Sequence, residues 1–275
     1  MKAISGELIS MKFLIALLLV FFAASSTAME HIAERAWLED VNGTLTLDEV
    51  KTLDMNPYRG LLSKGYSASV FWIRLRLVPD GVRIDPVAPS VKEPWIIRIR
   101  PSYLDEIRLF DPLDPPFRQG RVLGGLYPLG SEYRSLNQNF FIEPGDARDV
   151  WLRLKTQTAS VLGIEVLSAS EAREKDAIQN IVFSLILCIL FFYFLWAFAQ
   201  GLILRERLII VFILKQFSSL AWCFFLFGFG QMMLSDLISP LSIAFLRNLF
   251  VLMTASFAMT FDYFLLKEYG SPRWG

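Results

Sequence analysis

Residues 178–199 read IQNIVFSLILCILFFYFLWAFA, from Ile178 to Ala199, and the rest of the chain is arranged around them. The stretch carries no charge and few polar groups. At 1.5 Å per residue a helix of about 22 residues spans the ~30 Å hydrocarbon core of a bilayer. A helix apolar all round has no face to offer to water, so the segment is expected to cross a membrane at 178–200. Most of the charge lies before it, and almost everything after it is apolar.

Working outward toward the C-terminus, two further spans are expected at 208–229 and 241–266, followed by a tail at 267–275. Arg205-Glu206-Arg207 separates the first two spans, and Lys267 and Arg273 follow the third, whereas Gln231–Pro240 holds no Lys or Arg. Lysine and arginine stay on the cytoplasmic side, which places the 205–207 loop and the C-terminus inside and residues 30–176 outside. Lys215 and Asp262 fall within the apolar runs. Both are expected in the inner leaflet, where an intramembrane charge is costly, and they are expected to pair and fix the packing of the second span on the third. The alternative is a Lys215 that snorkels to the headgroups. Arg247 is expected to reach Asp236 or the headgroups.

Working toward the N-terminus, residues 171–177 form a charged juxtamembrane connector containing Glu171, Arg173, Glu174, Lys175 and Asp176, expected to be helical and continuous with the first span. Before it, residues 30–170 alternate with period two. Phe71, Ile73, Leu75 and Leu77 alternate with Trp72, Arg74 and Arg76. Trp95, Ile97 and Ile99 alternate with Ile96, Arg98 and Arg100. Val150, Leu152 and Leu154 alternate with Trp151, Arg153 and Lys155. Each run is a strand with one buried and one wet face. Further strands are expected at Glu106–Phe110, Asn137–Glu143 and Val161–Leu167, with turns at Pro79-Asp80-Gly81, Asp111-Pro112, Pro115-Pro116, Gly124-Gly125 and Pro144-Gly145-Asp146. Short strands at this spacing make a jelly roll or β-sandwich, so the fold class is a mainly β ectodomain followed by an all-α transmembrane region of three helices. Phe71, Ile73, Leu75, Leu77, Leu152 and Leu154 are expected in its core. At the N-terminus Lys12, the apolar run Phe13–Ala24 and Ser26-Thr27-Ala28 are expected to make residues 1–28 a secretory signal peptide cleaved after Ala28, which sends the β region to the same outer side; the alternative is an uncleaved anchor helix, for which the run is short.

The chain is 54% hydrophobic with 24 Phe, and its formal net charge of zero gives no bulk attraction to nucleic acid. Mean hydropathy is +0.43, high for a soluble domain. Both cysteines, Cys188 and Cys223, lie in apolar segments, so no disulfide framework is expected outside. One histidine, His31, beside the expected cleavage site, leaves neither a metal cluster nor a triad base. Gly65-Tyr66-Ser67-Ala68-Ser69 has Ser where a nucleophile elbow needs Gly, and reads better as a turn entering a strand. No enzyme activity and no cofactor are expected.

Trp72, Arg74, Arg76, Arg98, Arg100, Trp151 and Arg153 share one parity within their strands. Aromatic faces beside guanidinium forks suit sugars or anions, so Trp72 and Trp151 are expected to flank a concave ligand site that includes Arg74, Arg98, Arg100 and Arg153. The competing reading covers the tryptophans with a loop and leaves the arginines in ordinary surface pairs.

The order of several pieces resembles the periplasmic domain of the bacterial 7TM receptors with diverse intracellular signalling modules (7TMR-DISM), in the second of two ectodomain types. The pieces are Leu47-Asp48-Glu49-Val50; Gly65-Tyr66-Ser67 just before Phe71-Trp72-Ile73-Arg74-Leu75; Pro101-Ser102-Tyr103-Leu104-Asp105-Glu106-Ile107; and Val150-Trp151-Leu152-Arg153-Leu154. The resemblance implies a jelly-roll sensor for a small, carbohydrate-like ligand, the first part of a seven-helix region, and an output module such as a histidine kinase or diguanylate cyclase. Only three spans and no cytoplasmic phosphoacceptor His are legible. The expectation is therefore a fragment of a longer receptor, or a short receptor that relies on a separate cytoplasmic output protein or a homodimer, in an inner membrane. The expected function is the sensory input portion of a membrane receptor; the alternative is a membrane-anchored interaction or assembly protein with no small ligand.

Overall fold

A computed structural model describes residues 31–79, 93–115, 120–125, 135–156 and 159–269. The expected signal segment, Asp80, Gly81, Pro116 and the tail beyond Tyr269 lie outside the described residues. Among the described residues ten strands precede the long helices: β1 (Ile32–Asp40), β2 (Asn56–Pro57), β3 (Leu62–Tyr66), β4 (Val70–Leu77), β5 (Trp95–Arg100), β6 (Glu106–Phe110), β7 (Arg121–Leu123), β8 (Gln138–Ile142), β9 (Arg148–Lys155) and β10 (Ala159–Ser168), with a one-turn helix α1 (Leu47–Val50) between β1 and β2. They form one sheet in the order β2-β1-β4-β9-β6-β7 and another in the order β3-β10-β5-β8.

The alternation of each run decides which faces meet. Phe71, Ile73, Leu75 and Leu77 of β4, with Val150, Leu152 and Leu154 of β9, pack against Trp95, Ile97 and Ile99 of β5 and Leu162, Ile164 and Val166 of β10 in one buried cluster. That cluster is the sandwich core, and all six residues expected there are in it. β1 is the longest of the strands that the pattern did not separate, the others being β2, β3 and β7. It pairs along the whole of β4, with Trp37 opposite Ile73 and Asp40 opposite Val70, but its run IAERAWLED mixes charges into both faces.

Among the described residues three helices are long and apolar enough to cross a membrane: α2 (Ala169–Leu204), α3 (Arg207–Leu226) and α5 (Pro240–Tyr269, counted to Glu268 as a span), with a short α4 (Phe229–Leu234) between the last two. The charged connector is helical and continuous with the first span, as expected: α2 starts at Ala169 and runs through it without a break. The second span ends earlier than expected, at Leu226, since Gly228 takes a left-handed φ of +93 that leaves the helix. Gly201 lets α2 and α3 approach closely: a Cβ there would lie 2.4 Å from Ile213 Cδ1.

The expected Lys215–Asp262 pair is not formed. The Lys215 ammonium lies 5.3 Å from the centre of the Phe261 ring, and Phe212 packs on the same ring at 5.4 Å. Asp262, the next residue, is rotated by about 100° around α5 and is exposed on another face. Sequence depth alone put the two charges at one level, and helical rotation separates them. Lys215→Met and Asp262→Asn are accordingly expected to change the amount of folded protein additively, within about 0.5 kcal/mol, as sites that share no contact do. Quantifying folded protein in membranes for both single variants and the double variant checks this, and a clear shortfall from additivity would restore the pair.

Candidate functional site

The residues with most polar chemistry gather where β10 turns into α2. No linker separates them: Ser168 ends the strand and caps the helix. Its hydroxyl accepts from the Glu171 backbone N–H at 3.3 Å, and its own N–H donates to the Glu171 carboxylate at 3.2 Å. Glu93 adds a carboxylate at the helix start, accepting from the Ser170 N–H at 2.6 Å and hydroxyl at 3.0 Å. These bonds satisfy orphan N–H groups of the first turn and oppose the positive end of the helix dipole. Ala169 and Ala172 then lie on Ile96 and Leu167, so small side chains let the helix rest on the outer face of the four-stranded sheet.

One turn further on, the helix meets Arg98. Its guanidinium donates in three directions: Nε to Asp176 Oδ1 at 2.7 Å, Nη1 to Glu165 Oε2 at 3.0 Å, and Nη2 to Gln179 Oε1. Asn137 joins the cluster through Nδ2, which donates to Asp176 Oδ1 at 2.7 Å and to Gln179 Oε1 at 3.2 Å, and Gln179 Nε2 donates back to Asn137 Oδ1 at 3.2 Å. Arg98 and Asp176 are each only 2% exposed. A charge pair out of water persists only with near-complete hydrogen bonding, which Glu165, Asn137 and Gln179 supply. On the rim, Glu165 also takes Arg100 at 2.9 Å and Lys175 at 3.6 Å.

Burial works against the charge on Glu165, but Arg100, Arg98 and Lys175 together outweigh it and hold its carboxyl below its ordinary value of 4.5. A carboxyl with a folded pKa below its unfolded one stabilises the fold at all pH above the unfolded value, and that contribution fades as pH falls through the folded value. The junction is thus expected to be insensitive to pH from neutrality down to about 4.5 and to loosen below it. Thermal melts of wild type and Glu165→Gln across pH 3–7 check this: the variant should show a smaller loss in the acid range, and equal acid sensitivity of the two would assign the loss elsewhere.

A second contact holds the same end of the sandwich. A Cβ on Gly228 would lie 2.7 Å from the Leu136 carbonyl oxygen and 3.0 Å from Ser102 Oγ, so only glycine fits there in both φ and space. Gln231 Nε2 donates to the Gly124 carbonyl at 3.1 Å, and Arg247 Nη1 donates to the Tyr103 carbonyl at 3.3 Å. Segment 135–138 therefore touches α2 through Asn137 and the α3–α4 turn through Leu136.

The expected ligand face is corrected by the sheet topology. Trp72, Arg74, Trp151 and Arg153 do share a face, since Trp72 pairs with Arg153 and Arg74 with Trp151. That face belongs to the six-stranded sheet, whereas Arg98 and Arg100 lie on the outer face of the other sheet, so the set is split across the sandwich. Trp72 is 1% exposed and Trp151 6%; both are sealed with Val50, Val70, Leu45, Leu47, Met55 and Phe110 under residues 45–55. Arg153 stacks 6.0 Å over Trp72, Arg76 pairs with Asp149 at 3.2 Å and Arg74 with Glu34 at 4.0 Å. Among the described residues the two indoles are thus packed in one buried cluster rather than flanking an open cleft. Asp176, Gln179, Asn137 and Glu165 were not singled out from sequence; the usable signal was a polar i, i+3 pair, Asp176 and Gln179, at the edge of an apolar helix. Among the described residues no group of three His, Cys, Asp or Glu could hold a metal ion.

Residues 33–168 match the family model described as 7TMR-DISM extracellular 2, which covers β1 to the end of β10. No curated protein matches the chain.

Proposed function

Because residues 33–168 are a 7TMR-DISM extracellular 2 domain joined to apolar helices that fit the sensory portion of a membrane receptor, we propose that this domain senses a small ligand and moves the helices directly. The observation that carries the reading is the junction. A strand that becomes a membrane helix without a linker, pinned by buried Arg98 and Asp176, passes on a tilt or rotation that a flexible tether would absorb. In this reading the chain lies in an inner membrane with its C-terminus in the cytoplasm, supported by Arg205, Arg207 and Lys267 on one side of the spans. The ligand is carbohydrate-like or a small anion, the chain itself catalyses nothing, and a cytoplasmic output protein or a second copy receives the signal.

The test is a thermal-shift screen of the full chain in nanodiscs against envelope sugars and small anions. A ligand present at 100 times its dissociation constant stabilises the state it binds by ~2.7 kcal/mol. The expected result is a hit whose effect on the spacing of spin labels at the inner ends of α2 and α5 disappears in Arg98→Met. A screen without hits would favour the membrane-anchored interaction role, and a hit that leaves the helix spacing unchanged would separate binding from transmission.

A further inference from the structure

The helices fix where the bilayer begins relative to the sandwich. Among the described residues the ectodomain holds α2 as far as Gln179, the α3–α4 turn at Gly228 and α5 at Arg247. Below those levels α2 keeps about 25 residues, α3 about 20 and α5 about 22, which is roughly 37, 30 and 33 Å of helix. The hydrocarbon core needs ~30 Å, so α3 spans it only if it starts immediately beneath loops 101–105 and 135–137, α5 has about 3 Å to spare and α2 about 7 Å. α3 and α5 set nearly the same level, and α2 is long enough to meet it.

Strand register shows which other residues lie at that end. Asp105 accepts from the Thr156 hydroxyl at 3.1 Å, and Lys155 pairs with Glu106, Phe71 with Leu154 and Asp40 with Val70. In the other sheet Tyr66 pairs with Ala159, where β10 begins. Burial and the neighbouring Tyr66 phenol raise the pKa of Tyr103, partly offset by Arg247, so Tyr66, Tyr103 and Arg247 sit together. α2 runs back along the sheet from Ile96 to Arg98, so the strands lie along the membrane helix and their ends face the bilayer. At this end Tyr66 is 85% and Val41 71% exposed, and Ala68 and Lys155 are exposed as well. An aromatic, two small apolar groups and an ammonium are the side chains that suit the headgroup layer.

We propose that the strand ends carrying Val41, Tyr66, Ala68 and Lys155 rest on the phospholipid headgroups of the bilayer that the chain's own helices cross. The sandwich is then held by lipid as well as by α2 and the α3–α4 turn, and any ligand-driven rotation works against that lipid contact. The inference depends on the spans and the register, and stands whether or not a ligand is sensed.

The test uses the full chain in phosphatidylcholine nanodiscs, with Cys188→Ala and Cys223→Ala as background. A fluorophore is attached at Tyr66→Cys, Val41→Cys or Leu113→Cys in turn. Leu113 follows β6 at the far end of the sandwich and is 52% exposed. Headgroup-labelled quencher lipid is expected to quench the first two probes several-fold more than the third, with the order reversed for a water-soluble quencher. Equal quenching at all three positions overturns the proposal, as does quenching at Tyr66 alone. Protection of Tyr66 and Val41 from both quenchers also overturns it, and would mean that protein covers this end. Circular dichroism of each labelled variant confirms that the sandwich is folded.

Discussion

Replacing Arg98 with methionine is expected to destabilise the full chain by about 3–5 kcal/mol, the usual cost of removing one partner from a buried ion pair. The loss arises less from the pair than from what remains. Asp176, 2% exposed, would keep Asn137 as its named donor, and Gln179 would lose a charged one. Arg98→Lys should recover only part of the loss, because one ammonium cannot reach the three acceptors that the planar fork engages. The double variant Arg98→Met/Asp176→Leu should be markedly more stable than Arg98→Met, since two apolar groups leave no orphaned charge. Thermal melts in nanodiscs read all three. A single variant within about 0.5 kcal/mol of wild type would show that the cluster does not hold the helix to the sheet.

Leu75→Ala is the second large effect, expected at about 2–5 kcal/mol from lost burial plus the cavity left behind. Leu75 is 0% exposed in the middle of β4, which pairs with β1 on one side and β9 on the other, so little can collapse into the space. The neighbouring Arg76, whose side chain is 46% exposed, is the control: Arg76→Ala should cost under about 1 kcal/mol despite its contact with Asp149. The comparison tests register as well as burial, because a one-residue slip would exchange the two results. A Leu75→Ala protein that melts with wild type would place that residue on the wet face.

The core of the sandwich was legible because period-two alternation is a direct record of which face is dry. Phe71, Ile73, Leu75, Leu77, Leu152 and Leu154 needed nothing else. The same pattern misled for Trp72 and Trp151. Alternation shows that they face away from the core, but a second covering layer, residues 45–55, is built from a distant stretch whose packing is not periodic. Parity also carries no record of which sheet a strand joins, so Arg98 and Arg100 were grouped with residues on the opposite face. Length and hydropathy sufficed for the three spans, whereas the rotation that parts Asp262 from Lys215 depends on how α5 sits against α3. The Arg98 cluster was the least legible feature: each of its members, read alone, is an ordinary polar residue of a strand, loop or connector.

The missing linker between Ser168 and Ala169 has a consequence for anyone who recombines this chain. Because the helix follows the strand with no residue between them, the compass heading of every lipid-facing side chain is set by residue count from the Ser168 cap. One inserted residue turns the rest of α2 by about 100° and lifts it by 1.5 Å; seven turn it nearly back to where it was, within about 20°. A graft of another ectodomain at this seam is therefore an angular problem first. A fusion that copies the sequence boundary faithfully but is off by a single residue delivers the membrane helix facing the wrong neighbours.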